Sequence, residues 1–102
     1  MKGVAHMPTK TEIENAIQIL LAKYNAEYAL LFGSYARGEE TPNSDVDVIV
    51  FGGDSFKKSN IFAFAEDLRA MTGKEVDAFE ICELKLGTPF YNSVMKEGVK
   101  IA

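Results

Sequence analysis

Asp45-Val46-Asp47 opens a run, Val46 to Phe51, that is otherwise apolar and rich in β-branched residues. Closed by Gly52-Gly53, such a run reads as a strand. Side chains at i and i+2 of a strand share a face, with Cα atoms ~6.5–7 Å apart. Asp45 and Asp47 therefore look one way, and Val46, Val48 and Val50 the other. Ile49 and Phe51 continue the acidic face as apolar residues, so the strand is buried on both sides beyond its entering end. Two like charges in partly desolvated surroundings repel and raise their own pKa values unless a cation intervenes. Oxygen donors without imidazole or thiolate suit a hard ion, Mg²⁺ above all.

A glycine turn lies upstream. Tyr28 to Phe32 is a short apolar run stopped at Gly33, which reads as a buried strand. Gly33-Ser34 follows it directly, and Gly38 comes five positions later. Glycine lets backbone N–H groups turn inward and a bulky anion approach without a Cβ clash. The glycine spacing matches a P-loop, but Glu39 and Glu40 stand where its lysine and hydroxyl would be, so a Walker A reading fails. A phosphate held here needs its charge neutralised from elsewhere.

Asp77 sits inside Glu75 to Ile81, the third strand-like run, where aspartate is disfavoured. If that strand lies beside the second, Asp77 joins Asp45 and Asp47. Three carboxylates on adjacent strands would hold two divalent ions, which can clamp the attacking and leaving oxygens of a phosphoryl displacement. The remaining aspartates, Asp54 and Asp67, read as a turn residue and a helix-surface residue.

The rest of the chain supplies helices. Ile13, Ala16, Ile17, Leu20, Leu21 and Tyr24 recur at helical spacing over Thr11 to Asn25, with a capping box from Thr9 and Glu12 or from Thr11 and Glu14. A second helix, capped by Ser55 or Ser59, runs to about Thr72 with an inner stripe of Ile61, Phe62, Ala65, Leu68 and Met71, and stops at Gly73. Thr88-Pro89 starts a short helix carrying Phe90, Val94 and Met95 that ends at Gly98, before a last strand, Val99 to Ile101. The order is α-β-(loop)-β-α-β-α-β, an α/β sheet with helices on one side or both. Residues 1–8 read as a flexible tail and residues 9–102 as one domain.

Composition narrows the function classes. At 102 residues, 47% hydrophobic and 25% charged, the chain fits one ordinary globular domain. Eleven basic against fifteen acidic residues give a net charge of −4, which argues against a direct nucleic-acid binder. The lone Cys82 excludes an internal disulfide and, with the lone His6, any cysteine- or histidine-based metal site; it suits a reducing, cytoplasmic compartment. No apolar run is long enough to span a membrane.

Together, Gly33-Ser34, then Ser44-Asp45-Val46-Asp47, then Asp77 resemble the nucleotidyltransferase superfamily that includes DNA polymerase beta and kanamycin nucleotidyltransferase. The short length and the version Gly-Ser-Tyr-Ala-Arg-Gly-Glu with Ser-Asp-Val-Asp resemble its minimal nucleotidyltransferases, called MNT. The resemblance implies a polymerase-beta-like palm, an α+β fold with a small mixed sheet flanked by helices. It implies two Mg²⁺ ions on Asp45, Asp47 and Asp77, with ATP as donor and its triphosphate at Gly33 and Ser34. Asp77 would be the general base. Many such proteins are antitoxins that move AMP onto a tyrosine hydroxyl of a helical HEPN-domain toxin. Arg37 fits the motif either as a phosphate contact or as a brace, and Ser44 either starts the strand or helps orient Asp45.

Three functions follow as rivals: AMP transfer from ATP to a hydroxyl of a protein partner, neutralisation of a toxin by binding alone, and nucleotidyl transfer to a small molecule. The chain shows no extra domain to grip an acceptor, so a partner protein or a second copy would supply that surface as a hetero- or homo-oligomer. The plainer alternatives are an ordinary glycine turn, edge-strand charges at Asp45 and Asp47, and a solvent-facing Asp77. Tyr35 is expected to pack or lie exposed rather than stack on a base. Cys82 is expected to be buried as a small apolar residue. Phe62, Phe64, Phe90 and Tyr91 read as core, although Phe62 and Phe64 cannot both face inward, leaving one for a partner surface.

Overall fold

The computed structural model describes residues 8–101 as a four-stranded mixed sheet with helices on both faces. Helix α1 (Lys10–Lys23) leads to β1 (Tyr28–Phe32), a one-turn helix α2 (Ser34–Arg37) and β2 (Val46–Phe51). Helix α3 (Asn60–Thr72), β3 (Val76–Glu80), a 3-10 turn at Ile81–Glu83, α4 (Pro89–Glu97) and β4 (Val99–Ile101) follow. The strand order is β3-β2-β1-β4; β1 runs antiparallel to β2 and to β4, while β2 and β3 are parallel. A parallel pair needs a crossover, and α3 supplies it.

Of the two candidate capping boxes, Thr9 with Glu12 forms: the Thr9 hydroxyl accepts from the Glu12 N–H at 3.1 Å, and Glu12 accepts from the Thr9 N–H at 2.8 Å. Helices α1 and α3 cover one face. Ile13, Ile17 and Leu20 pack there with Phe64, Leu68 and the strand residues Ala29, Leu31, Val46, Val48 and Val50. Asp67 locks the two helices at their outer edge, accepting from Lys23 Nζ at 2.7 Å and from the Tyr24 hydroxyl. The other face is thinner: α4 lays Val94 over Leu30 and Ile49, rimmed by Phe32, Phe51 and Phe79.

Three expectations are corrected. The inner stripe of α3 is Ile61, Phe64, Leu68 and Thr72; Phe62 and Met71 face outward, 76% and 47% exposed. Cys82 is exposed, because Glu80 accepts its N–H at 2.8 Å and turns the chain out of β3. Phe90 is half-exposed rather than core. Of the expected tail, residues 1–7 lie outside the described ones. Pro8 is buried, and its carbonyl accepts from the fully buried Tyr35 hydroxyl at 3.5 Å.

Candidate active site

The register of the sheet decides where the acids meet. Phe32 lies opposite Asp47 on β1, and Asp47 lies opposite Asp77 on β3. One row across the α4 face therefore reads Phe32, Asp47, Asp77. The next reads Leu30, Ile49, Phe79. Asp45 precedes Asp47 by two residues, immediately before β2 begins. Asp47 is half-buried, while Asp45 and Asp77 are exposed. Burial, then the neighbouring charges of Asp77 and Asp45, and then a hydrogen bond with Asp77 push the Asp47 carboxyl up to about 6. Arg37 opposes that rise.

Gly33 is the hinge between β1 and this row. It takes φ +76, and a Cβ built on it would lie 2.5 Å from Asp47 Oδ2. The position needs glycine twice, for its backbone and for the space its hydrogen leaves to the carboxylate. Gly33 is also the N-cap of α2 and offers no side chain to the first turn, so Ser34 begins its one-turn helix directly after the residue that faces Asp47. Gly38, in the left-handed conformation, ends that turn. Four residues are too few to show helical periodicity, so in the sequence this stretch reads as loop.

Ser44 closes a turn with Thr41. Its hydroxyl accepts from the Thr41 N–H at 2.8 Å, and its own N–H donates to the Thr41 carbonyl at 2.9 Å. That turn is tied down further by Lys74, whose ammonium donates to the Pro42 carbonyl at 2.8 Å, and by the Val46 N–H on the Glu75 carbonyl. Asp45 is thus delivered by a braced turn, beside an open cleft of about 220 Å³ walled by Asn43, Ser44 and Lys74. Arg37 pairs with Glu39 at 2.9 Å and with Glu97 at 3.5 Å, which braces α2 against the end of α4.

Among the described residues, no three His, Cys, Asp or Glu side chains are gathered closely enough to cage a metal as they stand. The donor chemistry nevertheless fits a hard divalent ion. The donors are carboxylate oxygens alone, and the half-buried one is destabilised as an anion by burial and then by the other two. Asp45 and Asp77, being exposed, are not held in one rotamer by packing. Lys74 carries no local sequence signal of its contact with the Pro42 carbonyl.

Comparisons with known proteins identify the family and the fold. Residues 14–102 match the family described as Polymerase beta, Nucleotidyltransferase. An inferred protein adenylyltransferase of Methanocaldococcus jannaschii is 36% identical over 66 residues, covering 65% of this chain and 71% of the relative. A crystal structure of a toxin–antitoxin with AMP-PNP superposes with a TM-score of 0.74 at 26% identity, covering 87% of this chain and 72% of that one. At the level of fold alone, a complex of a tri-AMPylated Shewanella oneidensis HEPN toxin with MNT antitoxin matches with a TM-score of 0.69 at 22% identity, covering 92% and 72% of the two chains.

Proposed function

The chain belongs to the polymerase beta nucleotidyltransferase family, and from that premise we propose that it is an antitoxin that transfers AMP from ATP to a tyrosine hydroxyl of a HEPN-type toxin. The observation that carries this reading is the parallel register that sets Asp47 against Asp77, beside a glycine whose missing side chain makes room for the Asp47 carboxylate. The adenylyltransferase and toxin–antitoxin relatives support the donor and the kind of partner.

In this reading the β- and γ-phosphates lie against the opening amides of α2 at Gly33-Ser34. The α-phosphorus lies over the acid row. The acceptor enters from the far side, where the cleft beside Asp45 opens. Its oxygen forms a bond to the α-phosphorus as the bond to the α,β-bridging oxygen breaks, and pyrophosphate leaves on the glycine side. Asp77, the exposed member of the row, takes the hydroxyl proton. Asp45, Asp47 and Asp77 would hold Mg²⁺, which when bound offsets the charge building on the phosphate oxygens. Arg37 keeps α2 in place through Glu39 and Glu97.

The test mixes the purified chain with Mg²⁺, α-labelled ATP and the product of its neighbouring gene, and follows label and mass on the neighbour. Label on the neighbour, lost in the double variant Asp45→Asn, Asp47→Asn, is the expected result. Neutralisation of the neighbour that survives both substitutions, with no label in either mixture, would instead establish an antitoxin that works by binding. Label on a small hydroxylated metabolite without the neighbour would move the acceptor to the small-molecule class.

A further inference from the structure

Phe90 lies on the inner face of α4, one turn before Val94, yet 45% of it is exposed while Val94 is sealed at 1%. Its ring is edge-on to Phe32, with centroids 5.7 Å apart, and edge-on to Phe79 at 6.2 Å. Phe32 and Phe79 sit on β1 and β3, the two strands that flank β2, in adjacent rows of the same sheet face. A ring touching both lies over β2, between Asp47 and Ile49. The aromatic surface left open at this point therefore borders the acid row. Helix α4 holds it there through the Thr88 cap at one end and the pairing of Glu97 with Arg37 at the other.

A half-exposed aromatic face beside a carboxylate row is a poor surface for water and a good one for a flat ring that arrives with a phosphate attached. We propose that Phe90 is the stacking platform for the nucleobase of the bound nucleoside triphosphate and favours purines over pyrimidines. This deepens the nucleotidyltransferase reading and rests on it. With the β- and γ-phosphates at Gly33-Ser34 and the α-phosphorus over Asp47, the base reaches the open side of Phe90. Stacking is governed by overlap area, so the larger purine ring gains more from the same platform. The acceptor, entering by the cleft beside Asp45, does not compete for it.

The test measures binding of ATP, CTP and inorganic tripolyphosphate, each with Mg²⁺ and without any acceptor, to the wild-type chain and to Phe90→Leu and Phe90→Tyr. Phe90→Leu should weaken ATP on the order of tenfold, in the range found for loss of one base–aromatic stack. It should narrow the preference of ATP over CTP and leave tripolyphosphate within about twofold. Phe90→Tyr, which keeps the ring, should retain wild-type affinity. Because the chain has no tryptophan, Phe90→Trp also installs a single indole, whose emission should change with ATP and stay constant with tripolyphosphate. ATP affinity unchanged in Phe90→Leu, an equal loss for tripolyphosphate, or an indole blind to ATP would overturn the proposal while leaving the enzyme reading intact. A wild-type chain that binds neither ATP nor tripolyphosphate would remove the enzyme reading, and the stacking role with it.

Discussion

In the proposed reaction, Asp47 carries a conflict between folding and function. The fold places its carboxyl where burial and two other carboxylates raise it from an ordinary 3.8 to about 6. The anion is thus disfavoured in the folded chain relative to the unfolded one. Below 3.8 the residue is protonated in both states and imposes no penalty, the penalty grows as pH rises from 3.8 to about 6, and above that it is complete. That displacement corresponds to about 3 kcal/mol at full strength, and to about 1–2 kcal/mol once solvent screens a half-buried group. Replacing Asp47 by Asn removes the charge and keeps the shape. Asp47→Asn should therefore stabilise the metal-free chain at pH 7.5 by about 1–2 kcal/mol, or roughly 4–8 °C in melting temperature per kcal/mol, with the gain gone by pH 3.5. Thermal melts in chelator at the two pH values check this, and a variant less stable than wild type at pH 7.5 would contradict it. The same substitution should abolish AMP transfer, as stability gained at a functional carboxylate commonly does.

At the scale of elements, the legible parts are those whose own residues determine them. β1 and β2 lie where their apolar runs and closing glycines put them, and Gly73 ends α3 in the left-handed conformation. α3 shows the limit. Its apolar residues Ile61, Phe62, Phe64, Ala65, Leu68 and Met71 make two adjoining stripes, and periodicity alone cannot say which one faces the sheet. Packing against α1 chose the stripe with Phe64, whose ring meets Tyr24 at 6.2 Å. The site divides in the same way. Asp45 and Asp47 lie two residues apart at the entering end of β2, so their nearness is readable from spacing. Asp77 lies opposite Asp47 only because β3 pairs with β2 in parallel, which no residue of β3 encodes by itself. Phe90 reads as core because the rings it meets, Phe32 and Phe79, come from distant strands and leave part of it open. α1, by contrast, is set locally and lies across the sheet from the site. Thr9→Ala should cost about 1 kcal/mol of stability through loss of the cap, measured by denaturant unfolding, while the affinity for Mg-ATP stays within about twofold of wild type. A large fall in affinity would mean that the two faces of the sheet are coupled.

Taken as a whole molecule, the chain separates the layer that holds it together from the layer that would react. One face of the sheet carries the large core beneath α1 and α3, and the other carries a thin cluster beneath α4 with the acid row at its edge. No helix among the described residues is long and apolar enough to cross a membrane. With a net charge of −4, the molecule has little to offer a triphosphate electrostatically, and its most burdened carboxyl lies where the α-phosphorus would sit. Free ATP should therefore be repelled, and a divalent cation should reverse the sign of the interaction. A ligand that binds only the folded state stabilises it by RT ln(1 + [L]/Kd), about 1.4 kcal/mol at ten times Kd. Mg²⁺ should raise the melting temperature modestly, and Mg²⁺ with ATP should raise it further. ATP in excess chelator should leave it unchanged. Asp47→Asn, already relieved of its repulsion, should lose most of the response to Mg²⁺. Stabilisation by ATP in chelator equal to that with Mg²⁺ would show that the phosphates are held by the glycine turn and nearby cationic groups alone, and the acid row would then need another role.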